Sequence, residues 1–183
     1  MNARLKLTDP VADSGQQQHL TFMLGGEMFA VGILGVKEII EYGSLTTVPM
    51  MPDCIKGVIN LRGAVVPVID LARRFAGPAT QINRRSCIVI IETAADTHDG
   101  SNRQDVGIIV DAVSAVLEIP PDQIEPPPAF GAHIRADFIA GMGKLDGRFV
   151  IILNVDRVLS MDELATLAPS GGNDAWDTRA VAA

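Results

Sequence analysis

Three glycine-containing dipeptides, Gly25-Gly26, Arg62-Gly63 and Asp146-Gly147, each stand between two short apolar runs. Dipeptides of this kind favour two-residue hairpin turns, because the turns that match strand twist need positive φ at both central positions. The flanking runs read as strands. Leu20, Phe22 and Leu24 alternate with His19, Thr21 and Met23, the period of a strand with one buried face. Glu27 to Val31 follows the first turn. Ile55–Leu61 and Ala64–Leu71 flank the second, and Phe138–Leu145 and Arg148–Leu153 the third. Two further β-branched runs, Arg84–Glu92 and Val106–Val116, enclose the polar stretch Thr93–Asp105, which reads as a long hairpin loop.

Little of the chain is patterned as helix. Within Ile33–Glu41, the positions Ile33, Val36 and Ile40 fall at helical spacing and predict a short helix or turn, too short to be stable alone. Ser160 with Glu163 forms a capping box ahead of Leu164 and Leu167, which predicts a short C-terminal helix. Pro67 within its run predicts an edge strand or a bulge. Ile119-Pro120-Pro121 and Pro126-Pro127-Pro128 bracket an extended connection. The resulting fold class is all-β, with about ten strands, too many for one small barrel; two small barrels or one sandwich fit better. No internal repeat is visible in the letters. Residues 1–17 and 169–183 read as tails around an ordered body over 18–168.

Composition narrows the function. Hydrophobic residues make up 48% but aromatics only 4%, so the core is aliphatic. A net charge of −7 without a basic cluster disfavours nucleic acid as a partner. Cys54 and Cys87 form no CxxC pair, and His19, His98 and His133 have no His or Cys at ligand spacing. The acidic stretch around Asp96, Asp99, Asn102 and Asp105 lacks the EF-hand spacing. No nucleophile elbow, P-loop or dinucleotide fingerprint occurs. Asp70 and Asp111, each closing an apolar run, read as caps or turn residues. With no apolar run of about 18 residues, no membrane insertion is expected. The residues give no positive support for an enzyme, a cofactor or a metal site, and read as a cytoplasmic protein.

One segment is more specific. Ile55-Lys56-Gly57-Val58-Ile59-Asn60-Leu61-Arg62-Gly63, followed by Val65-Val66-Pro67-Val68-Ile69-Asp70-Leu71, resembles the central motif of the chemotaxis coupling protein (CheW) family. FMLGGEMFAVGILGVKEII resembles the family's entry strands, with its short helix at Val36–Ile39. VGIIVDAVSAVLEIP is similar to its second-barrel strands and FIAGMGKLDGRFVIILNVDRVL to its closing hairpin. The resemblance spans most of residues 18–167; the stretch 93–105 looks longer than the family's usual hairpin.

The resemblance implies two intertwined SH3-like five-stranded barrels sharing a hydrophobic core, with a few short helices. It implies an adaptor linking the cytoplasmic tip of a methyl-accepting chemoreceptor to the regulatory domain of a CheA-type histidine kinase, at membrane-associated receptor arrays. Val36, Glu38, Gly57, Arg62, Gly63, Val110 and Val113 are the expected receptor-binding residues, lining a groove between the barrels. Arg62 is free either to fork onto a receptor carboxylate or to pair with Glu38. Ile39, Ile40 and Leu45 are the expected kinase-binding residues. Plainer readings stand beside these: the valines fit a core, Gly57 and Gly63 fit turns that need positive φ, and Arg62 fits a solvated charge. A module of another chemosensory pathway, such as one for surface motility, is the alternative. A small barrel enzyme or ligand binder would need a convergent polar site, which the sequence does not offer.

Overall fold

The computed structural model describes residues 17–94, 103–127, 134–160, 163 and 164. Its strands are β1 (Gln17–Leu24), β2 (Glu27–Gly32), β3 (Val36–Glu41), β4 (Ile55–Leu61), β5 (Ala64–Asp70), β6 (Cys87–Ala94), β7 (Arg103–Val110), β8 (Ala112–Ile119), β9 (Ile124–Glu125), β10 (Ile139–Leu145) and β11 (Arg148–Leu153). Two four-residue helices, α1 (Leu71–Arg74) and α2 (Val155–Val158), follow β5 and β11.

All three dipeptides form the tight turns that their composition predicts. Both residues have positive φ in each: 60° and 84° at Gly25-Gly26, 53° and 86° at Arg62-Gly63, 48° and 77° at Asp146-Gly147. The flanking residues pair directly, Leu24 with Glu27, Leu61 with Ala64 and Leu145 with Arg148. Arg62 tolerates this conformation in a turn steadied by Asn60, whose Oδ1 accepts the Gly63 N–H at 2.8 Å.

The strands form two sheets, one of five in the order β3-β6-β7-β5-β4 and one of six in the order β8-β1-β2-β11-β10-β9. Each curls until its edges meet. In the first, Thr46, a few residues beyond β3, bridges Val58 of β4 at the opposite edge. In the second, β8 and β9 occupy opposite edges yet are joined only through Pro120–Gln123. Because β9 has just two residues, the second barrel amounts to five full strands and a short one. The chain starts in the second barrel with β1 and β2, builds the first with β3–β7, and returns at Asp111. The segment Val106–Pro120, expected as second-barrel strands, is therefore divided: β7 belongs to the first barrel and β8 to the second.

The core has three parts. Val66, Val68, Ile88, Ile90 and Ile109 fill the first barrel, and Ala30, Ile119, Val150 and Ile152 the second. The largest cluster lies between them and draws on both, including Phe22, Phe29, Ile69, Val89, Ile108, Phe138 and Leu153. Alternate residues of β6 thus face two different cores, Ile88 and Ile90 one, Val89 and Ile91 the other. That is why its sequence is an unbroken apolar run rather than an alternating one.

A repeat that the letters conceal is plain in the structure. Ile55–Phe75 and Ile139–Leu159, offset by 84 residues, each run strand, two-residue turn, strand, capped helix. Six positions are identical: Ile55/Ile139, Gly57/Gly141, Leu61/Leu145, Gly63/Gly147, Val66/Val150 and Arg73/Arg157. The register slips at the same place in both hairpins, between Ile55 and Gly57 and between Ile139 and Gly141. Asp70 and Asn154 cap the two helices.

Other expectations are corrected. Ile33–Gly35 forms one 3-10 turn, but Val36–Glu41 is strand, not helix, because its β-branched residues pair along β6. β5 is an interior strand. Its Pro67 faces Val58, whose N–H and C=O are both used on Thr46, and the ladder from β5 to β7 begins only at Val68, so the missing N–H is not needed. The connection after Ile119 is a 3-10 turn, Pro121–Gln123, followed by β9, not simply extended chain. Thr93, Ala94 and Arg103–Asp105 are paired strand, which shortens the loop expected over 93–105; 95–102 lie outside the described residues. Gln17, placed in the N-terminal tail by sequence, opens β1; 1–16 and the tail 169–183 lie outside the described residues. At the expected C-terminal capping box, Ser160 Oγ accepts the Glu163 N–H at 3.4 Å, while the Glu163 carboxylate engages Arg135 and Arg74.

Candidate functional site

The motif hairpin β4–β5 builds the seam of the first barrel. Thr46 and Val58 exchange backbone hydrogen bonds of 2.9 and 2.8 Å across it. Gly57 lies so close to this crossing that a Cβ there would stand 2.6 Å from the Thr46 carbonyl oxygen. Its φ is not positive, so the turn reading fails for Gly57: close backbone approach is what excludes a side chain. Gly63, with φ 86°, does fit that reading.

At the hairpin tip, Arg62 Nη2 donates to Glu38 Oε1 at 3.0 Å, so Arg62 and Glu38 are paired within the chain. The arginine side chain is 77% exposed and the glutamate 29%. Around them, Lys37 joins Asp105 at 2.9 Å and Glu92 at 3.4 Å, and Arg103 joins Glu92 at 3.1 Å. The Lys37 ammonium is held above its usual range, chiefly by its hydrogen bond to Asp105. Such exposed pairs add little stability but fix where the charges stand.

The seven expected receptor residues do not form one patch. Val110 is fully buried, so it supports the core rather than offering a contact, and Gly57 is also enclosed. Val36 and Val113 are half-buried against the shared core. Along the parallel β5–β7 pair, Val68 stands across Gly107, which places Arg62 and Val110 toward opposite ends of that sheet. Glu38, Arg62 and Gly63 remain as one accessible group. Of the expected kinase residues, Ile40 and Leu45 pack half-buried on the first barrel's core, whereas Ile39 is 43% exposed. All three lie on or after strand β3 rather than in a helix.

Val65, 72% exposed and close to Arg62, was not singled out from the sequence. Its repeat partner Phe149 is also exposed. Two apolar residues just after two repeat-related turns were the available signal, and it depends on seeing the repeat.

Asp70 and Asp111 act as the sequence suggests. Asp70 accepts from Ala72 N at 3.1 Å, and from Thr80 N at 2.9 Å and Oγ1 at 2.6 Å. Asp111 accepts from Gly25 N at 2.9 Å. The Cys54 thiol is pushed up, first by burial, which keeps it protonated and unreactive.

This architecture has close counterparts. Residues 18–163 match the family described as the CheW-like domain. The chain belongs to the CheW-like family. Similar proteins include the chemotaxis protein CheW of Klebsiella aerogenes, 36% identical over 81% of this chain and 85% of that protein. The probable chemotaxis protein CheW of Rhizobium etli is 31% identical over 82% of this chain and 92% of its own length. Protein FrzA of Myxococcus xanthus is 28% identical over 79% and 86%. The scaffolding protein TtCheW of Thermoanaerobacter tengcongensis superposes with a TM-score of 0.69 at 35% identity, covering 78% of this chain and 92% of that one. As a CheW-like protein the chain is a chemotaxis coupling scaffold and not an enzyme. Among the described residues, no helix is long and apolar enough to cross a membrane.

Proposed function

We propose that this CheW-like chain couples the cytoplasmic tip of a methyl-accepting chemoreceptor to the regulatory domain of a CheA-type histidine kinase. The observation that carries this reading is the exposed Glu38–Arg62 pair on the motif hairpin. Arg62 presents unused N–H donors at a rigid tip, suited to a carboxylate or amide at a helical hairpin. Glu38, Arg62 and Gly63 form the receptor contact, with Val36 half-buried on the same strand as Glu38. Ile39 is the exposed anchor for the kinase, positioned by Ile40 and Leu45. Glu38 and Ile39 are consecutive in β3, so their side chains leave opposite faces, and one strand serves two partners at once. The protein acts in the cytoplasm, recruited to membrane-associated receptor arrays, where many modest contacts add through effective concentration.

Calorimetric titration with the kinase regulatory domain and with a receptor-tip fragment tests this, repeated with Arg62→His. Binding to both, with receptor binding selectively weakened by the substitution, supports the reading. A folded protein that binds neither overturns it. The similarity to FrzA favours a second reading, service in another chemosensory pathway with its own receptor and kinase. Titration against the kinases of both pathways separates the two.

A further inference from the structure

The two barrels are built alike but end differently. Val68 of β5 faces Gly107 of β7, and Ile152, the repeat partner of Val68, faces Ala30 of β2. Following the antiparallel ladders from these pairs sets Glu92 and Asp105, which face each other, on Met23 and Met28, which do the same. The repeat likewise sets Val58 on Met142 and Val65 on Phe149. At this end the first barrel carries the two carboxylates that hold Lys37. The second carries three methionines and a phenylalanine that is 53% exposed.

A groove of about 340 Å³ opens at this apolar end, lined by Met23, Glu27, Met28, Met142, Arg148 and Phe149. Methionine is unbranched and polarisable, so it re-packs readily around an apolar guest. Glu27 and Arg148 are exposed, and among the described residues neither makes an ion pair. One free charge of each sign therefore stands beside the apolar surface. The strands decide what form of chain fits. β1, β2, β11 and β10 are all interior strands, each with a neighbour on both sides. An incoming strand finds no edge to extend here, and its own backbone groups would lose water without gaining partners. A helix satisfies its backbone internally and offers only side chains, which is what such a groove accepts.

We propose that this end of the second barrel is a docking groove for an amphipathic helix of a partner protein. The apolar stripe of the helix seats on Met142 and Phe149. Beside the stripe, an acidic residue meets Arg148 and a basic residue one turn away meets Glu27. The groove lies on the other barrel from Glu38 and Arg62 and is a different surface from the receptor contact.

Methyl NMR of the whole chain, labelled at methionine, tests this. The probe is an alanine-based helical peptide with leucines at i, i+3 and i+7 and a glutamate and a lysine one turn apart beside them. Adding it is expected to shift the methyls of Met23, Met28 and Met142 and to leave that of Met50, exposed outside the groove, in place. Phe149→Ala and Arg148→Glu, both at exposed positions, should each weaken binding by about tenfold or more. Replacing the peptide's glutamate by lysine should restore binding to Arg148→Glu. No shift, a Met50 shift as large as that of Met142, or binding indifferent to Arg148→Glu overturns the proposal. Equal binding of a proline-broken version of the peptide would overturn the helix as occupant. Groove methyls that move with protein concentration alone would give the groove to a second copy instead.

Discussion

Arg62 and Glu38 come together across the seam at which the first barrel closes, 24 residues apart in sequence and 3.0 Å apart in space. Their strands, β4 and β3, are opposite edges of one sheet. The pair therefore reports on barrel closure as well as presenting a charged tip. Because both groups meet solvent, Arg62→Ala should lower stability by no more than about 1 kcal/mol. Receptor-tip binding should fall far more than stability does. Urea unfolding alongside titration checks this; equal losses in both would reduce Arg62 to a structural residue.

The repeat makes a paired test of the seam glycines. At Gly57 a new Cβ meets the Thr46 backbone at 2.6 Å, which cannot move without opening the seam. At Gly141 the nearest atom, at 2.5 Å, is the Cγ2 methyl of Ile124, which gives way only by a χ1 turn or a shift of the two-residue strand β9, with the Glu125 carbonyl oxygen next at 3.3 Å. Gly57→Ala should cost about 2–3 kcal/mol and Gly141→Ala roughly 1 kcal/mol. Urea midpoints should fall in the order wild type, Gly141→Ala, Gly57→Ala.

Val110 and Val65 separate core from surface. Val110 is wholly enclosed, so Val110→Ala should cost about 1.5–3 kcal/mol through lost burial and an unfilled space. Val65→Ala, at an exposed site, should stay within about 0.5 kcal/mol. Any loss of partner binding in a Val110 variant should disappear once the fraction unfolded is corrected for, whereas a loss in a Val65 variant should not.

Acid should weaken the Arg135–Asp137 pair. Hydrogen bonding from Arg135 is the main cause holding the Asp137 carboxyl below the ordinary aspartate range. A carboxylate lowered in the folded state contributes stability that is complete above its unfolded value, about 3.9. That contribution is lost as pH falls through the folded value. Wild type should thus exceed Asp137→Asn in urea midpoint near about pH 7, and the gap should close near about pH 2. A gap independent of pH would assign the difference to packing.

Much of this protein was legible in its letters. Gly25-Gly26, Arg62-Gly63 and Asp146-Gly147 determined three turns, because positive φ at two successive residues is a local demand that few dipeptides meet. The β4–β5 motif marked the family, and Asp70 and Asp111 marked a cap and a turn. What local pattern could not decide is which edges meet. Val36–Glu41 reads as a short helix until β6 lies beside it. Gly57 reads as a turn glycine until Thr46 crosses it. Val110 reads as either contact or core until the shared core takes it in, and Ile55–Phe75 shows its kinship with Ile139–Leu159 only when their bulges and caps coincide. The tertiary structure decided these matters because barrel closure, the shared core and the burial of Arg74 against Val158 join residues distant in sequence, and such contacts leave no periodic trace in any one segment.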